Sequence, residues 1–195
     1  MPHWSDLPEE QFDELLRLGR MYDREARRAG EGKAHLAGCV MAGAALEAML
    51  LAMVHLYGDE LDARAIAKAK GKPKQLLNWS FADLLKAARI ANWLPAGLEL
   101  GAKWSGRRAR IGDYAEALRQ TRNLVHPSRY IQDHSPSRVT KRYLSSSLET
   151  LEAAISHLEA KVHDSLRKAM EAKQDLALRR APNKRLKLAR GSPAA

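Results

Sequence analysis

The sequence predicts an all-α fold: an up-and-down bundle of four to five main helices that ends in a long C-terminal helix. Three observations carry this. The apolar residues, 45% of the chain, are mostly Leu and Ala, and aromatics make up 6%; that balance suits helices better than a sheet. Apolar positions recur at spacings of three and four in several long windows. No stretch alternates convincingly enough to be a strand. At 195 residues the chain is long enough for one domain with a real core and short for two.

Taken in order, residues 8–29 form a first helix. Pro8 suits its first turn, Glu9 and Glu10 sit at the positive end of its dipole, and Phe12, Leu15, Leu16 and Leu18 give it an apolar face. Gly30 and Gly32 close it. Residues 33–57 form a second helix that is apolar nearly all round, the pattern of a helix at the centre of a bundle. Its apolar stretch from Leu36 to Tyr57 is long enough to be mistaken for a membrane span. Its alanines and glycines, with Glu47 and His55, make it a core helix, so no membrane partner is expected. Residues 60–79 read as a short helix and then an exposed basic loop, with Lys68, Lys70, Lys72 and Lys74 around Gly71. Ser80 caps a helix over 81–92, with Asp83 in its first turn, and Trp93-Leu94-Pro95 breaks it.

Residues 98–110 hold Trp104 and the cluster Arg107, Arg108 and Arg110. A helix follows over about 113–126, then a loop over 127–135, then a long helix over roughly 136–178. That last helix is apolar at Val139, Tyr143, Leu144, Leu148, Leu151, Ile155, Leu158, Val162 and Leu166, with weak periodicity after about residue 168. From Arg179 the composition changes: six cations and no acid are interrupted by Pro182, Gly191 and Pro193, the composition of a disordered tail. The expected organisation is a helical domain over 1–178 and a basic tail over 179–195. The tail carries more than half of the formal net charge of +10, so the body is only mildly basic. A surplus of this sign favours a polyanionic partner, most simply nucleic acid.

The single cysteine, Cys39, lies in an apolar run and reads as a small buried hydrophobe. One cysteine excludes an intramolecular disulfide and any cysteine-rich zinc site. The first residues lack the layout of a signal peptide, and the expected compartment is the cytoplasm. His35, His55, His157 and His163 show no metal-ligand spacing, so no metal and no cofactor is expected.

The stretch Arg119-Gln-Thr-Arg122-Asn123-Leu-Val-His126-Pro127 carries the chemistry. Spacings of three, four and seven return to one helical face, so Arg119, Arg122, Asn123 and His126 share it at a helix end, where Pro127 disfavours helical backbone at His126. Two guanidinium forks suit phosphate oxygens, and an imidazole moves a proton near neutral pH. The structural alternative is that Arg122, Asn123 and His126 tie down the helix C-terminus and the loop after it. Glu47, set in an apolar helix, is costly unless paired; a salt bridge to Arg119 or Arg122 would stabilise it and orient the site, and another interhelical base is the alternative partner. Arg107, Arg108, Arg129 and Arg138 flank the motif and either extend a phosphate track or form a solvated face. Trp79, Trp93 and Trp104 read first as core or interface anchors.

On these residues the sequence resembles the HEPN superfamily, the higher-eukaryote and prokaryote nucleotide-binding domains. It is closest to an uncharacterised subset with the wording Arg-Asn-x-x-His-Pro. The family signature is an arginine, four to six residues, then a histidine. Arg119 to His126 lies within that range; Arg122 to His126 is one residue short of it. Ala44-Ala-Leu46-Glu47-Ala-Met-Leu50 also resembles the apolar helix with an embedded acid found in such domains. The resemblance implies a compact helical fold and a homodimer through the motif helix, whose two histidines would supply acid and base. It further implies a metal-independent endoribonuclease or RNA-binding component of a toxin–antitoxin or defence system, with an antitoxin or other partner protein. The alternative is a catalytically inactive HEPN-like dimeric module that binds a partner protein or nucleotide.

Overall fold

The computed structural model describes residues 3–94, 115, 118, 119, 122, 123, 126, 128 and 139–180, the side chains of 175–180 excepted. The described residues are mostly helical, as the composition requires. Contacts divide the chain into one unit over Met1–Glu159 and a second over Ala160–Ala195.

In the first unit, α1 (Glu9–Glu31) and α2 (His35–Tyr57) form an antiparallel hairpin. Small residues let the two backbones approach. Gly19 lies against Ala48 and Met49, and a Cβ at Gly38 would stand 3.0 Å from the Ala26 carbonyl oxygen. α1 closes in a Schellman motif: the amides of Lys33 and Ala34 donate to the carbonyls of Gly30 and Ala29. The left-handed residue of that motif is Lys33, at φ 61°. The two expected glycine stops both precede it: Gly32 is the cap residue, and Gly30 is inside the helix, packed near Leu144. α2 buries most of its circumference, Cys39, Leu46, Leu50 and Val54 among the buried residues, and keeps one partly exposed stripe at Val40, Ala44, Glu47, Leu51 and His55. By length and composition α2 also passes for a membrane span, yet most of it is covered by protein.

The segment 60–79 departs from the expected short helix. A 3-10 turn at Gly58–Glu60 leads to a small antiparallel hairpin, β1 (Lys68–Ala69) and β2 (Lys72–Pro73), and then to a second 3-10 turn at Leu76–Asn78. Lys70 and Gly71 make its turn with φ of 51° and 77°. Two successive positive φ values match the twist of a two-residue hairpin. The lysines mask this signal because Lys, unlike Asn or Gly, is not a usual residue there.

α3 (Phe81–Ile90) begins as expected, with a capping box in which Ser80 Oγ accepts from the Asp83 amide and Asp83 accepts from the Ser80 amide. Lys74 reaches the same carboxylate at 2.9 Å. Asn92, at φ 54°, ends the helix in a second Schellman motif, with Trp93 bonded to the Ala88 carbonyl.

The N-terminal residues 3–8 form a strap that the sequence reading passes over. Trp4 stacks on Trp79 with ring centroids 5.3 Å apart, the Trp4 carbonyl accepts from the Leu76 amide, and the Leu7 amide donates to His55 Nδ1. Ser5 is buried beneath Gly58, where an added Cβ would run into Ser5 Oγ.

α4 (Lys141–Arg180) starts later than residue 136: Val139 and Thr140 are not helical, and Thr140 Oγ1 accepts from the Tyr143 amide as a cap. Within the first unit its buried stripe is Leu144, Ser147, Leu151, Ala154 and Leu158. The expected apolar position Tyr143 is exposed, and Ser147 takes the inward place by donating to the Tyr143 carbonyl. In the second unit, Asp164 is held by Arg167 at 2.6 Å and Lys168 at 2.7 Å, which lowers its carboxyl to about 2. The helix includes Arg179 and Arg180, two residues past the expected boundary; residues 181–195 of the expected tail lie outside the described residues.

Two substitutions test this packing. Gly58→Ala overpacks Ser5 and is expected to cost about 1–3 kcal/mol in chemical denaturation. Lys70→Asn keeps the hairpin turn and relieves a left-handed lysine, and is expected to add roughly 0.5 kcal/mol.

Candidate functional site

The site is built on α2. Gly43 and Glu47 stand one turn apart there and face the motif segment. A Cβ at Gly43 would lie 3.0 Å from Arg122 Cβ and 3.1 Å from the Leu118 carbonyl oxygen. The motif segment therefore crosses α2 at a glycine, close enough that a side chain there would push it away. Residues 115, 118, 119, 122 and 123 are helical, and Ala115 and Leu118 are buried. Arg122 continues that inward stripe, because 115, 118 and 122 are three and four apart.

Arg122 Nη2 meets Glu47 Oε2 at 2.8 Å. Of the two arginines the sequence offered as partner for Glu47, the structure thus pairs Arg122. The pair is asymmetric: the Glu47 side chain is 18% exposed and Arg122 37%. Burial pushes the Glu47 carboxyl above its ordinary value, and the Arg122 charge opposes that shift without cancelling it. Arg122 thus has one edge fixed by a buried carboxylate and part of its surface in water.

Arg119 and Asn123 lie beside Arg122 and are partly exposed. His126 is exposed and sits in a bend, its amide donating to the Asn123 carbonyl at 3.0 Å. This is the local form expected of a residue before proline. Ser128 is helical, where the sequence reading had a loop over 127–135; proline starts helices as readily as it stops them. Arg119, Arg122 and Asn123 are all partly exposed, with Arg122 facing Glu47 on α2, and His126 is at the surface. Arg107, Arg108, Arg129 and Arg138, and the bounds of the motif helix, lie outside the described residues.

Other candidates take structural places. Trp79 is buried against Trp4 and donates its indole N–H to the Lys74 carbonyl. Trp93 is buried near Tyr57, and Trp104 lies outside the described residues. Cys39 is buried, with its thiol pushed up by burial and Ser147 Oγ 3.6 Å away. Among the described residues no group of three His, Cys, Asp or Glu side chains could hold a metal. An open depression of about 410 Å³ on α1 is lined by Asp13, Leu16, Arg17, Arg20 and Arg24, none of them a predicted site residue. Gly43 is the site residue that sequence reasoning missed. One glycine among many small residues of an apolar helix carries no signal of the backbone it must admit.

No protein-family model matches the chain, and comparison with curated proteins and with solved structures returns no match.

Glu47 gives the site a pH signature. Its carboxyl is raised in the folded state, so between the ordinary carboxylate value and the raised one the folded chain binds more protons than the unfolded chain. Its contribution is fully present below the unfolded value and is lost as pH rises through the folded one. Urea denaturation from pH 4 to 7 is expected to show Glu47→Gln gaining on the wild type as pH rises. A parallel pair of pH profiles contradicts this.

Proposed function

We propose that this protein is a HEPN-like metal-independent endoribonuclease, an RNA-binding component of a toxin–antitoxin or defence system acting in the cytoplasm. The observation that carries this is the Arg122–Glu47 pair. It fixes one guanidinium on the segment that also carries the partly exposed Arg119 and Asn123 and the exposed His126. A fixed fork beside a surface imidazole is the arrangement that RNA transesterification needs.

In this reading His126 takes the proton of a ribose 2′-hydroxyl, and the 2′-oxygen forms a bond to phosphorus. Arg119 and Arg122 stabilise the charge that gathers on the phosphoryl oxygens. The bond from phosphorus to the 5′-oxygen breaks, and that oxygen takes a proton from His126 of the partner subunit. The products are a 2′,3′-cyclic phosphate and a 5′-hydroxyl. A two-fold dimer through the motif helix completes one composite cleft.

The same pair supports a second reading. A guanidinium already satisfied by Glu47 has an interhelical duty, and the His126 amide bond to the Asn123 carbonyl is a turn that closes a helix. On that reading the chain is a catalytically inactive HEPN-like dimer that binds a partner protein or a nucleotide.

Cleavage of a mixed single-stranded RNA in EDTA separates the two. The nuclease reading expects cyclic-phosphate ends from the wild type and a loss of about 100-fold or more with His126→Ala, at unchanged melting temperature. No cleavage by a folded wild-type dimer favours the inactive module.

A further inference from the structure

The basic hairpin of the first unit has no part in the motif, yet its charge is of one sign. Between Asp62 and Asp83 the chain carries Arg64, Lys68, Lys70, Lys72 and Lys74 and no acid. The two outer cations are spoken for: Arg64 pairs with Asp62 at 3.0 Å and Lys74 with Asp83 at 2.9 Å. Lys68, Lys70 and Lys72 are exposed and make no ion pair among the described residues.

The base of this hairpin is firmly held. The Lys74 amide donates to the Ala67 carbonyl, Trp79 Nε1 donates to the Lys74 carbonyl, and Ala65 and Ala67 are buried. Trp79 in turn stacks on Trp4 of the strap. Beyond that base the chain turns in two residues, with Lys70 itself in the left-handed region. Asn or Gly would fill that position with less strain, so the turn carries a charge at a position where stability alone favours a neutral residue. Three like charges fall within five residues of this tip, Lys68 on the face of Pro73, Lys72 on the opposite face with Ala69, and Lys70 in the turn between them, so a strand passing the tip meets a cation on either face.

We propose that the Lys68–Lys72 tip is a contact for the phosphate backbone of single-stranded RNA, outside the motif. This rests on the ribonuclease reading above and adds to it where the strand is gripped. Lysines on a tip act as point charges, without the planar fork that arginine would bring. The contact is therefore indifferent to base sequence and strongly dependent on salt. It supplies affinity and orientation of the strand, while the motif supplies the reaction.

The test uses the full chain and a fluorescent 2′-O-methyl RNA 12-mer, which binds as RNA but has no 2′-hydroxyl to react. Lys68→Gln, Lys70→Asn and Lys72→Gln are combined; Asn followed by Gly71 is the preferred pair for this turn, so the hairpin is kept while its charge is removed. A melting temperature no lower than that of the wild type checks this. The expected result is about tenfold weaker binding near 0.1 M salt, with the slope of log affinity against log salt shallower by roughly 2, since each single-strand phosphate contact is worth about 0.7. Lys68→Arg with Lys72→Arg is expected to bind as the wild type. If the neutral variant binds RNA with unchanged affinity and slope, the hairpin proposal is overturned and the ribonuclease reading stands. A wild type that binds no RNA overturns both. Unchanged RNA binding with loss of adhesion to anionic lipid vesicles assigns the tip to a membrane and also overturns the proposal.

Discussion

Much of the first unit is arranged around a helix that is apolar nearly all round. α2 is covered over most of its surface, leaving a partly exposed stripe at Val40, Ala44, Glu47, Leu51 and His55, and each Leu or Val side chain left fully exposed would forfeit about 1.5–3 kcal/mol. α1 covers one flank, where Gly19 and Gly38 set the distance, and α4 covers another through Leu144 against Gly38. The strap closes the C-terminal end over Gly58. The motif segment takes the flank at Gly43. The one acid in α2, Glu47, faces that flank, and its burial is tolerable because Arg122 meets it there.

Much of this is legible in the sequence because it follows from short-range rules. Helix starts at Ser80 and at Glu9 after Pro8, and the central, mostly buried place of α2, need nothing beyond local residue types. The misses are cases where a residue stands in for the usual one. Lys33 and Lys70 take left-handed positions where glycine or asparagine is the readable signal. Ser147 takes an inward helical position by bonding its hydroxyl to the preceding turn, so the apolar pattern pointed to Tyr143 instead. The strap is invisible for another reason. It is held by Trp4, Ser5 and the Leu7 amide against residues 48 or more positions away, and no periodicity records such contacts.

The candidate site was legible as a set of residue types and not as an arrangement. Spacing placed Arg119, Arg122, Asn123 and His126 on one helical face, and the acid in α2 asked for a base. Neither could rank the arginines. The structure pairs Arg122 with Glu47, and Arg119 lies beside it, equally partly exposed. The close backbone approach at Gly43 decides this, and it depends on two helices meeting, which no single segment encodes.

The most direct test of this account is a double-mutant cycle on unfolding free energy, with Glu47→Gln, Arg122→Gln and the pair combined. An ion pair that joins α2 to the motif segment predicts a coupling of about 1 kcal/mol or more between the two positions. Additivity within roughly 0.3 kcal/mol would mean that Glu47 and Arg122 do not hold each other, and that the motif is positioned by packing at Gly43 alone.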